Sequence, residues 1–301
     1  MDLPDGFLNN IQNSFGQTGV EWLQELPALL NEAAQKWQLS LGSPMLLSYN
    51  YVIAAKRVDG TPVVLKIGVP NREFISELTA LRLFNGDGCV RLLEVEETRY
   101  MFLMERLFPG KMLVSLEDDD KRTHIACDVM AHLWRAAPIG LPLIKLIDWF
   151  SELDKVRPKF SGGTGPFPKK IFEKVEKLIP ELFANSSPPV LMHGDFHHFN
   201  VLSSDRGWLA IDPKGVIGPP EYECGPLLIN PMPSLLYLPE VDRLTLRRVS
   251  ILSDRLGFSR EIIRDWVLCH AILSAWWDMN EDGSGGEYSL AIADVISKLQ
   301  I

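Results

Sequence analysis

Asp195, Asn200 and Asp212 are spaced for one kind of chemistry. They lie within the stretch 190–215, VLMHGDFHHFNVLSSDRGWLAIDPKG, where four residues separate Asp195 from Asn200 and Asp212 ends the next apolar run. An Asp at the head of such a loop can orient a hydroxyl and accept its proton. An amide oxygen and a second carboxylate can hold magnesium, a hard ion that takes oxygen ligands and keeps several waters. Together the three side chains match the requirements of magnesium-dependent phosphoryl transfer. His193, His197 and His198 offer a transition-metal site as the alternative, but nothing nearby repeats an HExxH or paired CxxC spacing. On the phosphoryl-transfer reading His193 holds the loop by hydrogen bonds and His197 orients it, while His198 has no assigned role.

Such a loop needs rigid elements on both sides. Val190–Met192 and Trp208–Ile211 read as buried strands with a polar loop between them, punctuated by Pro188, Pro189 and Gly207. Upstream, Met45–Ile67 has the β-branched composition of two or three strands, and Asp59-Gly60 predicts a two-residue hairpin turn. Lys66 sits in the run Pro62-Val63-Val64-Leu65-Lys66-Ile67, where an isolated lysine would ordinarily face solvent. The next element changes that expectation. Asn71 is placed to cap a helix that carries Phe74, Ile75, Leu78, Leu81 and Phe84 on one side and ends at Gly86. That helix offers Glu73 and Glu77 as partners for the lysine, with Glu73 also suited to the first-turn dipole.

Further strands are expected at Cys89–Glu96 and Arg99–Glu105, completing a five-stranded lobe behind an N-terminal helical cap over residues 1–40, interrupted at Pro27. After Gly110 the chain is mostly helical, including Lys169–Phe183, broken near Pro180, and Arg264–Asn280.

The run His193-Gly194-Asp195-Phe196-His197-His198-Phe199-Asn200 resembles the HGDxHxxN loop of aminoglycoside phosphotransferases and related small-molecule kinases. The continuation Gly207-Trp208-Leu209-Ala210-Ile211-Asp212-Pro213 resembles, more narrowly, the aminoglycoside 6-phosphotransferase and hydroxyurea kinase group. Lys214 departs from the small apolar residue usual at its position.

This resemblance implies an α+β, two-lobed protein-kinase-like fold that uses ATP and Mg2+. The N-lobe with its helical cap would span residues 1–105, the hinge 106–110, and the mostly helical C-lobe with the catalytic and metal-binding loops 111–301. Asp195 would act as proton acceptor, Asn200 and Asp212 as metal ligands, and Lys66 as the phosphate lysine, as in the VAIK strand. The Ser-Glu-Leu pattern favours Glu77 over Glu73 as its partner. The resemblance further places the Glu105 carbonyl and Leu107 amide against adenine, with Met104 on the pocket wall. Leu47–Val52 lacks GxGxxG, so Ser48, with Asn50, would be the phosphate donor of a glycine-poor hairpin, and no Walker loop occurs.

The 301 residues imply more than one core, and 46% apolar residues suit a globular chain. A net charge of −9 disfavours nucleic acid and favours cationic partners. The acidic N-terminus and the absence of an apolar run of 18 residues predict a soluble cytoplasmic protein without membrane association, and the four scattered cysteines predict buried, reduced thiols. Near the C-terminus Trp277 stands beside Asp278, Glu281 and Asp282, a set that reads first as a solvated helix end and, as the alternative, as the receiver of a cationic sugar. The favoured acceptor is an aminoglycoside of the streptomycin type. A metabolite hydroxyl, hydroxyurea, or a nucleotide-binding pseudokinase role are the alternatives.

Overall fold

A computed structural model describes residues 3–280 and 282–301. The first helix, α1 (Asp5–Lys36), lies against an antiparallel sheet of β1 (Ser40–Pro44), β2 (Asn50–Lys56), β3 (Pro62–Gly68), β4 (Leu92–Glu96) and β5 (Met101–Glu105), ordered β1-β2-β3-β5-β4. Helix α2 (Arg72–Phe84) connects β3 to β4. Alternation along β3 divides the work. Val63, Leu65 and Ile67 pack with Trp22, Leu26, Leu29 and Leu30 of α1, whereas Val64 joins the core that contains Phe74, Leu78 and Leu81 of α2. Both faces are covered, so β3 reads as an unbroken apolar run. Because Lys66 has the parity of Val64, it is delivered to the face that α2 covers.

Four expectations are corrected here. The break in α1 falls at Gly16 (φ 52°, ψ −132°), and Pro27 is carried inside the helix, where neighbouring side chains are anchored on the sheet. The β2–β3 turn is a three-residue loop: Arg57 N donates to Thr61 O at 3.0 Å, Gly60 N donates to Arg57 O at 2.9 Å, and Gly60 takes φ +84°. A glycine in the left-handed region after a tight turn is the usual form of that longer hairpin. The first strand begins at Ser40, ahead of Met45, and the two later strands are shorter than expected, with Cys89 making only an isolated bridge to Ala210.

The rest of the chain comprises β6 (Pro109–Met112), α3 (Asp119–Leu133), β7 (Arg135–Ala136), β8 (Ile144–Lys145), α4 (Leu146–Phe150), α5 (Val156–Lys159) and α6 (Lys169–Asn185), which includes Pro180 without a break. It continues with β9 (Val190–Met192), β10 (Val201–Ser204), β11 (Gly207–Ala210), β12 (Val216–Gly218), α7 (Cys224–Leu228), α8 (Val241–Leu256), α9 (Arg260–Trp277) and α10 (Glu287–Lys298). The segment expected to be a single polar loop therefore contains a strand, β10, paired antiparallel to both β11 and β6. Its short Val-Leu-Ser-Ser sequence is too brief to show a period. Strand β9 pairs antiparallel with β12, which pairs parallel with β8. All four cysteines are free and buried. No helix among the described residues is long and apolar enough to cross a membrane.

The two lobes are stitched at α2. Ser76 Oγ donates to Gly215 O at 2.7 Å and accepts from Ile144 N at 3.0 Å. Gly215 has φ +68°, and a Cβ there would lie 2.6 Å from Ser76 O, so only glycine permits the approach.

Candidate active site

Strand β9 ends in a loop that its own residues lock in place. The buried His193 ring donates from Nε2 to Ile211 O at 2.8 Å, and its Nδ1 accepts from Asp195 N at 3.2 Å. Burial lowers the His193 pKa to about 4, keeping the ring neutral as those two bonds require. Gly194 has φ +88°, and a Cβ would fall 2.3 Å from Val216. Beneath the loop, Glu223 accepts from His193 N at 3.0 Å and from Gly194 N at 2.7 Å. Its burial raises the carboxyl to about 7 despite those two amide bonds.

Asp195 projects from this support with its side chain 37% exposed. Burial opposes its ionisation, but His197 and Lys214 outweigh that and hold the carboxyl below its ordinary range. His197 Nε2 lies 3.7 Å from Asp195 Oδ1, and its Nδ1 accepts from Phe199 N at 3.3 Å. Asn200 Nδ2 donates to Asp195 O at 3.0 Å, which leaves the amide oxygen without a hydrogen bond among the described residues. His198 is buried away from this face, with neither ring nitrogen hydrogen-bonded. The three histidines thus diverge, and no group of three or more His, Cys, Asp or Glu among the described residues is arranged to hold a metal ion.

Asp212 follows β11 with φ +59°, a conformation uncommon outside glycine and found at functional sites. Its Oδ1 is hydrogen-bonded to Lys66 Nζ, which also donates to Glu77 Oε1 at 2.6 Å. Burial alone would raise the Asp212 carboxyl, but Lys66 and then Lys214 hold it far below the carboxylate range. Burial likewise works against the charge on Lys66, and Asp212 and Glu77 more than restore it. Of the two acids on α2, Glu77 meets Lys66, while Glu73 Oε2 is 4.0 Å from Lys214 Nζ.

The remaining candidates are distributed unevenly. Met104 is buried opposite Val64, and Glu105 ends β5 with its carboxylate on Arg91 N and Arg206. Leu107 is half-buried on the segment that runs into β6. Ser48 is exposed on the β1–β2 loop. Beside it, burial raises the Tyr49 phenol, as do the charges of Asp278 and Asp195. Trp277 stacks edge-on against Trp149, ring centroids 5.1 Å apart, and Asp278 caps α9 next to it. Asp282 is not brought to the cleft group: its Oδ1 accepts from Ser284 N and Oγ within its own turn. Glu281 lies outside the described residues.

Sequence reasoning passed over Glu223 and Tyr49. For Glu223 a signal existed, since Glu221 and Glu223 are the only charged residues in the stretch Val216–Met232.

The family described as aminoglycoside/hydroxyurea antibiotic resistance kinases matches residues 42–283, which include every lysine, carboxylate and amide placed above. The chain belongs to that family. Relatives in this kinase family include a streptomycin 6-kinase from Streptomyces glaucescens, 31% identical over 94% of this chain and 92% of its own. A hydroxyurea phosphotransferase from Kitasatospora aureofaciens is 30% identical over 93% of this chain and 82% of its own. The kinase fold is shared with a choline kinase from Streptococcus pneumoniae at TM-score 0.62 and 17% identity, covering 91% of this chain and 98% of that one.

Proposed function

We propose that the protein transfers the γ-phosphoryl group of ATP to a hydroxyl of a cationic aminoglycoside, with the 6-hydroxyl of streptomycin the first choice, and so confers resistance to the antibiotic. The observation that carries this reading is the convergence of Asp195, Asn200 and Asp212 with the Lys66–Glu77 pair in one cleft of a chain from this kinase family.

Asp195 orients the acceptor hydroxyl and takes its proton, being ionised and open to the cleft. Lys66 steadies the α and β phosphates, its charge guaranteed by two carboxylates. The free amide oxygen of Asn200 and the ionised Asp212 fit magnesium, as hard oxygen donors that leave room for waters and phosphate oxygens. When bound there, magnesium neutralises charge on the phosphate oxygens. Glu105 and Leu107 offer backbone groups to adenine, Met104 lines its pocket, and Ser48 reaches the phosphates from the β1–β2 loop. Trp277 and Asp278 are assigned to the cationic acceptor, with Tyr49 closing over it. ATP dependence and four free buried thiols suit the cytoplasm.

Hydroxyurea is the second reading, because a hydroxyurea phosphotransferase is similar to nearly the same degree. Mass spectrometry of products formed with ATP, magnesium and a panel containing streptomycin, other aminoglycosides and hydroxyurea separates the two. Phosphorylated streptomycin is the expected product. Phosphorylated hydroxyurea alone would replace the substrate, and nucleotide binding without ATP consumption would leave a pseudokinase.

A further inference from the structure

We propose that Lys214 is a second catalytic cation, which contacts the γ-phosphoryl group and neutralises its charge during passage to the acceptor. The proposal rests on the phosphotransferase reading above and gives a role to a residue which that reading leaves unused.

Lys66 cannot serve both ends of the nucleotide. Its ammonium is 3% exposed and held between Glu77 and Asp212. Lys214 is rooted elsewhere, between the proton acceptor and the metal carboxylate. Its main-chain N–H donates to His193 O at 2.7 Å, and the same carbonyl accepts from Gly215 N at 3.2 Å. On the other side Gly215 is gripped by Ser76 of α2. A Cβ built on Gly194 would lie only 3.3 Å from the Lys214 Cβ, which puts the lysine stem alongside the residue that precedes Asp195. Asp212 is two residues back along the chain.

The ammonium lies in the field of Asp212 and Asp195 but makes no close ion pair with either among the described residues. Its one ion pair among the described residues is the 4.0 Å contact to Glu73, whose side chain is 57% exposed. With Lys214 22% exposed and Glu73 open to solvent, a pair at that distance is loose and can give way to a better partner. Without Lys214, Asp195, Asp212, Glu73 and Glu77 would face an incoming triphosphate with the single ammonium of Lys66 between them. A second cation on the acceptor side removes that repulsion. It acts where charge spreads over the three equatorial oxygens of the moving phosphoryl group, and there a preorganised donor contributes most.

In the step itself the acceptor oxygen forms a bond to the γ-phosphorus as the bond from that phosphorus to the β–γ bridging oxygen breaks. The bonding pair leaves with ADP, and the hydroxyl proton passes to Asp195. Lys214 donates a hydrogen bond to a γ-phosphate oxygen throughout and keeps its proton.

The decisive comparison is calorimetric binding of ADP and of the β,γ-imido analogue of ATP, each with magnesium, to wild type and Lys214→Met. ADP affinity should stay within about twofold, while the analogue loses roughly tenfold or more, the worth of one charge-assisted bond. Turnover with the acceptor should fall by about 10²- to 10³-fold. Lys214→Arg should recover part of it. Lys214→Gln carries the same comparison if Lys214→Met loses ADP affinity. Wild-type preference for the analogue over ADP, kept in these charge-removing variants together with near-normal turnover, overturns the proposal. A wild type that phosphorylates no acceptor would sink the phosphotransferase reading instead, whereas the nucleotide comparison needs no acceptor and still decides whether Lys214 meets the γ-phosphate.

Discussion

The Glu223 carboxylate accepts the Gly194 amide at 2.7 Å, from a position 29 residues further along the chain. With the parallel bond from His193 N at 3.0 Å, it fixes the backbone immediately before Asp195. Glu223→Ala would leave two buried N–H groups without partners, at a cost of about 1–3 kcal/mol each. The variant should melt earlier and lose turnover while its ATP KM changes little. Unaltered turnover would show that the loop keeps its shape without this support.

Asp195 and Asp212 should fail in different ways. Asp195→Asn is expected to bind MgATP nearly as wild type does and to lose about 10²- to 10⁴-fold in kcat, the range for a general base. Asp212→Asn should lose MgATP affinity outright, and by more than Asn200→Ala, since the carboxylate supplies charge that an amide cannot. Calorimetry against MgATP, paired with kinetics, reads both. Identical binding defects in the two Asp variants would contradict the division of roles.

Lys66 and Glu77 form a buried pair at 2.6 Å, so Lys66→Met strands Glu77, while Glu77→Gln leaves Lys66 with Asp212 alone. Breaking such a pair costs about 3–5 kcal/mol. Lys66→Met and Glu77→Gln combined should therefore destabilise by less than the sum of the two single changes. Denaturant midpoints of the four proteins close the cycle, and strict additivity would mean that the pair carries no coupling.

At the end of α9 only one of the two measurable acids should bear on the acceptor. The charge of Asp278 acts on Tyr49, whereas the Asp282 carboxylate is occupied by Ser284. Asp278→Asn should raise the aminoglycoside KM and spare the ATP KM, more strongly at low salt, because screening is effective beyond about 8–10 Å. Asp282→Asn should alter neither. Equal effects of the two would assign the acids a diffuse electrostatic role.

His270 provides a pH-dependent test of packing beneath the site. Its Nδ1 lies 2.9 Å from the Tyr222 hydroxyl, and burial lowers its pKa from 6.5 to about 4. Between those values the unfolded chain binds a proton that the folded chain refuses. Stability from this site is thus complete above pH 6.5 and is lost as pH falls toward about 4. His270→Gln titrates in neither state. The stability margin between wild type and variant should narrow from about pH 7.5 to about pH 4.5, and a constant margin would show that His270 protonates alike in both states.

What the sequence disclosed was what lies close together along it. Asp195, Asn200 and Asp212 share one loop and one hairpin, and Lys66 and Glu77 lie 11 residues apart on consecutive elements. Period and cap residues also located α2, whose Asn71 accepts from Phe74 N as expected. Contacts between remote segments left no such trace. Glu223 beneath Gly194 and Ser76 against Gly215 both depend on how separate elements pack, the latter across 139 residues. The helix through Pro27 was missed for a related reason: its continuation is secured by burial against a sheet that follows it in the chain.

The two bonds of Ser76 have a bearing on control. Protein kinases are commonly switched by swinging away the helix that carries the glutamate partner of the phosphate lysine. Here that helix is bolted to the opposite lobe at Gly215 and Ile144, one residue before Glu77. Both bonds must break before the helix can swing, so the position of Glu77 against Lys66 is tied to the joining of the lobes.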